Sequence, residues 1–270
     1  MTSLDDLLTR GGVRVRWTGP AGEPVVTVTL DRPETRNSQT PTTWRAFAAV
    51  GDALPEGTRA VVLRSEGPVF SSGIDLRAFT PEGIDGQSLL GEFLSVPDDQ
   101  AADLVQEFQA GFSWWHDRDD VVTVAAVQGA AVGAGFQLAL ACDLRVCTPD
   151  ARFAMKEPSL GLVPDLTGTH PLVRTVGYSR ALELCLSGRW VGAEEASALG
   201  LATTVVPADE LATAVDALVA AVTGPQPSTA AATKRLMRSA LTQDAVTQRR
   251  SEGEAQIALL RAMAVAAGLR

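Results

Sequence analysis

Two short glycine-bearing turns and two acids are the residues of this 270-residue chain best suited to chemistry. The first turn, Phe70-Ser71-Ser72-Gly73-Ile74-Asp75-Leu76, follows an apolar stretch, and the second, Gly129-Ala130-Ala131-Val132-Gly133-Ala134-Gly135, runs into an apolar helical pattern. Glycine admits backbone angles closed to other residues and can leave the next peptide N–H exposed. Two such donors converging on one oxygen make an oxyanion hole, each worth roughly 2.7–4 kcal/mol in a transition state that develops charge there. The second turn also opens a helix, whose N-terminus attracts negative charge. Glu157 and Asp165, eight residues apart in a glycine- and proline-punctuated stretch, can carry protons beside such a hole.

Other chemistries fit these residues poorly. The order G-x-x-x-G-x-G is not the G-x-G-x-x-G of a dinucleotide site, and no acid ends the next strand. There is no G-x-S-x-G elbow, and the two histidines, His116 and His170, have no evident nucleophile partner, so surface or packing roles are expected for both. Cys142, Cys147 and Cys185 have neither an even count nor metal-ligand spacing, which points to reduced, buried thiols and to no metal site.

The elements that must position these residues alternate. Residues 25–30, VVTVTL, form a β-branched strand stopped at Asp31-Arg32-Pro33; residues 42–53 read as an amphipathic helix with Trp44 and Phe47 on one side; residues 60–64 read as a second strand. Residues 80–99 hold three glycines, two prolines and several acids, the pattern of a mobile surface loop. A helix over 101–116, a third strand over 121–127, the helix FQLALACD and a fourth strand over 144–148 continue the series. Strands apolar along their whole length and spaced by helices pair in parallel with both faces covered, so the class is α/β. After Val206 the chain becomes Ala-rich and helical over 208–222, 228–241 and 244–267. The expected division is a core over 1–206 and a helical region over 207–270 that caps its own core or packs on another subunit.

Composition excludes several classes of partner. With 46% hydrophobic and 20% charged residues and no apolar run near the roughly 18 that a membrane span needs, neither a membrane protein nor a disordered chain is expected. The 23 basic and 32 acidic residues give a formal charge of −9, which repels nucleic acid. The N-terminal MTSLDDLLTRGG lacks the features of a signal peptide, and a cytoplasmic location is expected.

Four segments in order resemble the crotonase superfamily, the enoyl-CoA hydratase/isomerase family: LDRPETRNS, FSSGIDL, VQGAAVGAGFQLALACD and ARFAMKEPSLGLVPDLTGTHPLVRTVG. PSTAAATKRLM resembles the family's helix after the core. The resemblance implies a crotonase-like spiral of ββα turns, a helical C-terminal region that packs into a homotrimer or a dimer of trimers, and acyl-CoA thioester substrates. By matched position, the hole would be the backbone N–H groups of Ile74 and Ala134. Gly73, Asp75, Leu76, Gly133 and Gln137 would line the substrate, with the acyl pocket built from the 80–115 stretch. Hydratases of the family face the double bond with two glutamates, whose positions here are Gln137 and Glu157. An amide can hold a water molecule but cannot take its proton. The Glu157/Asp165 pair resembles the proton-transfer pair of the family's dienoyl-CoA isomerases, which carry an acid at the position of Gln137. The first expectation is thus an isomerase in which Glu157 removes and returns a proton, with Asp165 assisting. A hydratase that tolerates Gln137 and a non-catalytic acyl-CoA binding protein are the alternatives. None of these needs a metal or redox cofactor, coenzyme A being part of the substrate.

Overall fold

The computed structural model describes residues 3–19, 24–84, 86 and 88–269. The chain opens with α1 (Leu4–Gly11) and β1 (Val13–Arg16), followed by β2 (Val25–Leu30), α2 (Pro41–Asp52) and β3 (Ala60–Ser65). Next come α3 (Leu89–Leu94), α4 (Asp98–Asp117), β4 (Val122–Val127), β5 (Ala130–Val132), α5 (Ala134–Ala141), β6 (Leu144–Cys147) and β7 (Arg152–Ala154). α6 (Thr169–Val176), α7 (Tyr178–Ser187), β8 (Val191–Gly192), α8 (Ala193–Ala198) and β9 (Thr204–Val205) lead to α9 (Leu211–Thr223), α10 (Pro227–Ser239) and α11 (Ala245–Ala266).

Among the described residues the strands form two sheets, one of order β1-β2-β3-β4-β6-β9 and one of order β5-β7-β8. From β2 to β9 the large sheet is parallel, as continuous apolar strands require, while β1 adds antiparallel to its edge. β4 leaves the large sheet, β5 enters the small one, and α5 returns the chain for β6; β6 and β7 repeat the step. This is an α/β spiral of ββα turns. In the preceding turn the small-sheet strand is reduced to one parallel bridge, Ser71 to Ala131.

Three features depart from the expectation. α1 and β1 precede the first expected strand; Val-Arg-Val-Arg is too short and too charged to stand out, yet it suits a half-solvated edge. β5 and β7, three residues each, are too brief to show a period. The 80–99 stretch is not one surface loop: α3 lies within it, capped by the Ser88 side chain, with Leu89 buried and Phe93 edge-on to Phe108 at 6.5 Å.

The core is thickest where α2 crosses α4. Trp44, Phe47, Phe108, Phe112 and Trp115 interlock there edge to face, with Trp44 and Phe108 centroids 5.0 Å apart. Gly111 permits the crossing, since a Cβ there would lie 2.3 Å from the Trp44 carbonyl oxygen. On the other face, Val215 and Val219 of α9 pack on Ala60, Val62, Val124, Ala126 and Val146. The helical region after Val206 is therefore attached unevenly: α9 is sheet covering, whereas α11 buries no residue and exposes Val246, Ile257, Leu260, Met263 and Val265. Among the described residues no helix is long and apolar enough to cross a membrane.

α10 is held by ion pairs, among them Arg238 with Asp117 and Asp119 and the half-buried pair of Lys234 with Asp143. Lys234 Nζ donates to Asp143 Oδ2 at 2.7 Å and to the Val121 carbonyl at 2.7 Å. Burial pushes the Asp143 pKa up, but His116, Lys234 and the Thr123 amide outweigh it, and the net displacement is downward. Removing Lys234 takes away the cation that faces Asp143 and leaves its carboxylate to Thr123 and His116 alone. Lys234→Met is expected to lower the unfolding free energy by about 1–3 kcal/mol at neutral pH, measured by urea denaturation. A carboxylate with a depressed folded-state pKa gives stability that is present above its unfolded value and lost as pH falls through the folded one. The acid-side loss should accordingly shrink in the variant.

Candidate active site

The first turn is set by the segment before α2. Arg36 and Asn37 both take left-handed backbone angles, φ 55° and 52°. The Asn37 amide donates to the Glu66 and Val69 carbonyls, each at 2.8 Å, and its oxygen accepts the Arg32 N–H at 3.0 Å. From this frame the Arg36 carbonyl accepts Ser72 N–H, the Asn37 carbonyl accepts Ser71 Oγ–H, and Gln39 pairs with both Gly73 O and Asp75 N–H. The pairing of residues 73 and 75 with Gln39 directs the N–H of Ile74 away from that strand.

The second turn meets the first at van der Waals contact. Gly73 has φ +88°, and a Cβ there would lie 2.6 Å from Val132 O and 3.6 Å from Ala134 N. From the other side, a Cβ on Gly135 would lie 2.6 Å from Ser71 Cβ. Gly133 carries the unusual angle, φ 50°, and Ala134 begins α5 in ordinary helical geometry, so alanine is no obstacle at that position. As the first residue of the helix, Ala134 has no intrahelical acceptor for its N–H. Neither its amide nor that of Ile74 donates to an acceptor in the chain among the described residues.

A cavity of about 450 Å³ opens at this junction, bordered by Gly73, Ile74, Gly133, Ala134, Glu157 and Asp165. Its apolar wall comes from Leu76, Trp44, Phe108 and the α3 residues Leu89, Leu90 and Phe93, so part of the 80–115 stretch lines it. Glu157 opens a 3₁₀ turn after β7 and is 9% exposed. Its carboxylate lies over Gly133, where a Cβ would be 3.1 Å from Oε1. Oε1 accepts Gln137 Nε2 at 2.6 Å, and Oε2 is buried without a partner. Burial raises the Glu157 pKa and the nearby Asp165 charge adds to it, while hydrogen bonds from its own peptide N–H and Gln137 offset only part. Asp165 sits at the exposed mouth, its carboxyl also raised by partial desolvation and its carbonyl accepting Gln109 Nε2 at 2.7 Å.

Two expected substrate-lining residues lie elsewhere. Gln137 is wholly buried behind Glu157, its oxygen accepting the N–H groups of Leu166 (2.9 Å) and Gly168 (3.2 Å). Asp75 caps the next turn and pairs with Arg77 at 2.6 Å, so its carboxylate is committed away from the cavity. The roles of Gln39, Ser71 and Gln109 carry no local signal, because they depend on contacts 32 or more residues away. His116 faces Asp143 at 3.4 Å, and His170 accepts Arg174 Nε–H at 2.9 Å; neither borders this cavity. Burial pushes the Cys147 thiol up to about 12 and raises Cys142 and Cys185, which leaves all three poor nucleophiles. Among the described residues no cluster of side chains could hold a metal ion.

The enoyl-CoA hydratase/isomerase family model matches residues 21–269. The chain belongs to that family. Mitochondrial Delta(3,5)-Delta(2,4)-dienoyl-CoA isomerase of Rattus norvegicus is 32% identical over 219 residues, 77% of this chain and 63% of that one. The "Probable enoyl-CoA hydratase" of Bacillus subtilis (strain 168) is 36% identical over 146 residues, 54% of this chain and 51% of that one. With two further hydratase-named relatives the matches span 58% and 66% of their length. A crystal structure from Thermobifida fusca YX, provisionally named enoyl-CoA hydratase and in complex with acetoacetyl-CoA, is 44% identical with a TM-score of 0.90, covering 96% of this chain and 98% of that one. Solved family members thus share the crotonase-like fold, C-terminal helices included.

The contact between the turns leaves no room for a side chain on Gly73. Gly73→Ala meets a backbone oxygen and keeps a left-handed angle, so it should lower stability by about 1–3 kcal/mol. An unchanged urea midpoint would contradict that fit.

Proposed function

We propose that the protein is an acyl-CoA isomerase, with Glu157 as its proton carrier. The observation that carries this reading is the state of Glu157: a buried carboxylate with one oxygen fixed and the other unpaired, beside two unpaired peptide N–H groups. In the proposed step Glu157 takes a proton from C2 of a 3-enoyl thioester, and the electron pair moves onto the thioester oxygen. The amides of Ile74 and Ala134 stabilise that oxyanion. As the enolate collapses, Glu157 returns the proton at C4 and the double bond comes to rest between C2 and C3. One carboxylate suffices for this shift, with Asp165 assisting at the mouth; the apolar wall of Trp44, Phe93 and Phe108 takes the acyl chain. The acetoacetyl-CoA complex of the Thermobifida fusca relative and the isomerase name of the rat relative support the substrate class and the reaction.

Hydration is the second reading, favoured by the hydratase names of the other relatives. It requires one group to take a proton from water while another is delivered to carbon, and Gln137 cannot share that work. We further propose a homotrimer or a multiple of one, in which the exposed apolar residues of α11 are covered by other subunits; light scattering showing a clean monomer would contradict it.

Purified protein offered 2-enoyl, 3-enoyl and dienoyl thioesters should shift the double bond of a 3-enoyl substrate faster than it hydrates a 2-enoyl one. Rapid hydration with the 3-enoyl thioester untouched would overturn the isomerase, and binding without any turnover would favour the binding protein. Glu157→Gln should reduce turnover by about 10²–10⁴-fold. Because the base must be ionised and its pKa is raised, kcat/KM should fall on the acid side at a pH above the ordinary carboxylate range. A flat profile there would argue against Glu157 as the base.

A further inference from the structure

We infer that Gln137 is a positioning residue that fixes Glu157 and the Asp165 loop relative to one another through a single side-chain amide, an inference that rests on the reading of Glu157 as the base. The orientation of the amide is set by its surroundings. Its oxygen meets two peptide N–H groups, those of Leu166 and Gly168, so its nitrogen must face Glu157 Oε1, at 2.6 Å. Turned over, the amide would oppose donors to donors. Both acceptor positions of the oxygen are occupied, and the side chain has no exposure to solvent or to the cavity.

The loop it holds does not adopt its shape freely. Thr167, a β-branched residue, has φ +65°, and a Cβ on Gly168 would lie 2.5 Å from Gln137 Cγ. Gln109, bonded to the Asp165 carbonyl, anchors the loop at its other end. Gln137 therefore governs where the bonded oxygen of Glu157 lies, leaves Oε2 unpaired, and places Asp165 at the mouth. The other titratable groups around Glu157 are Asp165, Cys185 of α7 and the adjacent Lys156, whose ammonium is bonded to the Gly188 carbonyl.

The test compares Gln137→Met with Gln137→Glu on whichever thioester the wild type turns over. Gln137→Met should lower kcat about 10²-fold with a smaller effect on KM, because a misplaced base costs rate while the apolar wall of Trp44, Leu89, Phe93 and Phe108 is untouched. Its kcat/KM acid limb should move to higher pH, since a donor to the charged carboxylate is lost. Gln137→Glu keeps an acceptor for Leu166 and Gly168 and so preserves the loop, yet sets a second carboxylate against Oε1, and its acid limb should move up further. The Glu157 carboxyl titration, followed by ¹³C NMR and assigned with Glu157→Gln, should move in the same direction in both variants. A folded Gln137→Met with wild-type kcat and an unmoved limb would overturn the inference. If that variant does not fold, an unmoved Glu157 titration in Gln137→Glu would overturn it. Should the wild type turn over no thioester, the proton-transfer reading fails, while the titration still decides whether Gln137 controls Glu157.

Discussion

Everything at the site depends on how closely two loops can approach. The turn at Gly73 and the turn at Gly133 belong to successive windings of the spiral, and they meet through the Ser71–Ala131 bridge and the contact of Gly73 with Val132 O. A methyl group on Gly73 or Gly135 would force them apart. The parallel strands β3 and β4 bring the two turns to the same end of the sheet, beyond the C-termini of the strands, and the α2–α4 aromatic cluster backs the cavity they open. The fold thus acts as a holder for two peptide groups, and the left-handed pair Arg36-Asn37 is where the holder is tightened.

Much of this was legible in the sequence because it is written in local patterns. Short β-branched runs such as VVTVTL and VVTVAAV read as buried strands, and the two glycine turns follow β3 and β4. The short edge strand β1, the three-residue β5 and β7 and the helix α3 were not legible, since their stability comes from neighbours rather than from their own period. At the site the same division holds. Glu157 could be placed by motif, but the burial of Gln137 could not, because its three partners, the Glu157 carboxylate and two loop peptide N–H groups, lie 20 to 31 residues away. The carboxylate of Asp75 is taken up nearer at hand, by Arg77 two residues on.

The electrostatics around Glu157 are a balance of opposed effects. Desolvation and the Asp165 charge favour the neutral acid, while the Gln137 amide and the glutamate's own peptide N–H favour the anion. A base needs both: enough penalty on its charge to want a proton from carbon, and enough support to be ionised near neutral pH. An amide at position 137 supplies a donor without adding a second negative charge.

The hole proposed here consists of main-chain atoms, with consequences for how such a protein can diverge. A side-chain catalyst is lost by a single substitution, but a peptide N–H at Ile74 or Ala134 is present whatever residue occupies the position, proline excepted. Glu157, Asp165 and Gln137 act through side chains, which single substitutions change. Genetic drift can therefore rewrite the acid–base part while leaving the anion-stabilising part intact, and a lineage of such chains can pass between reactions that share an enolate without losing the ability to hold one.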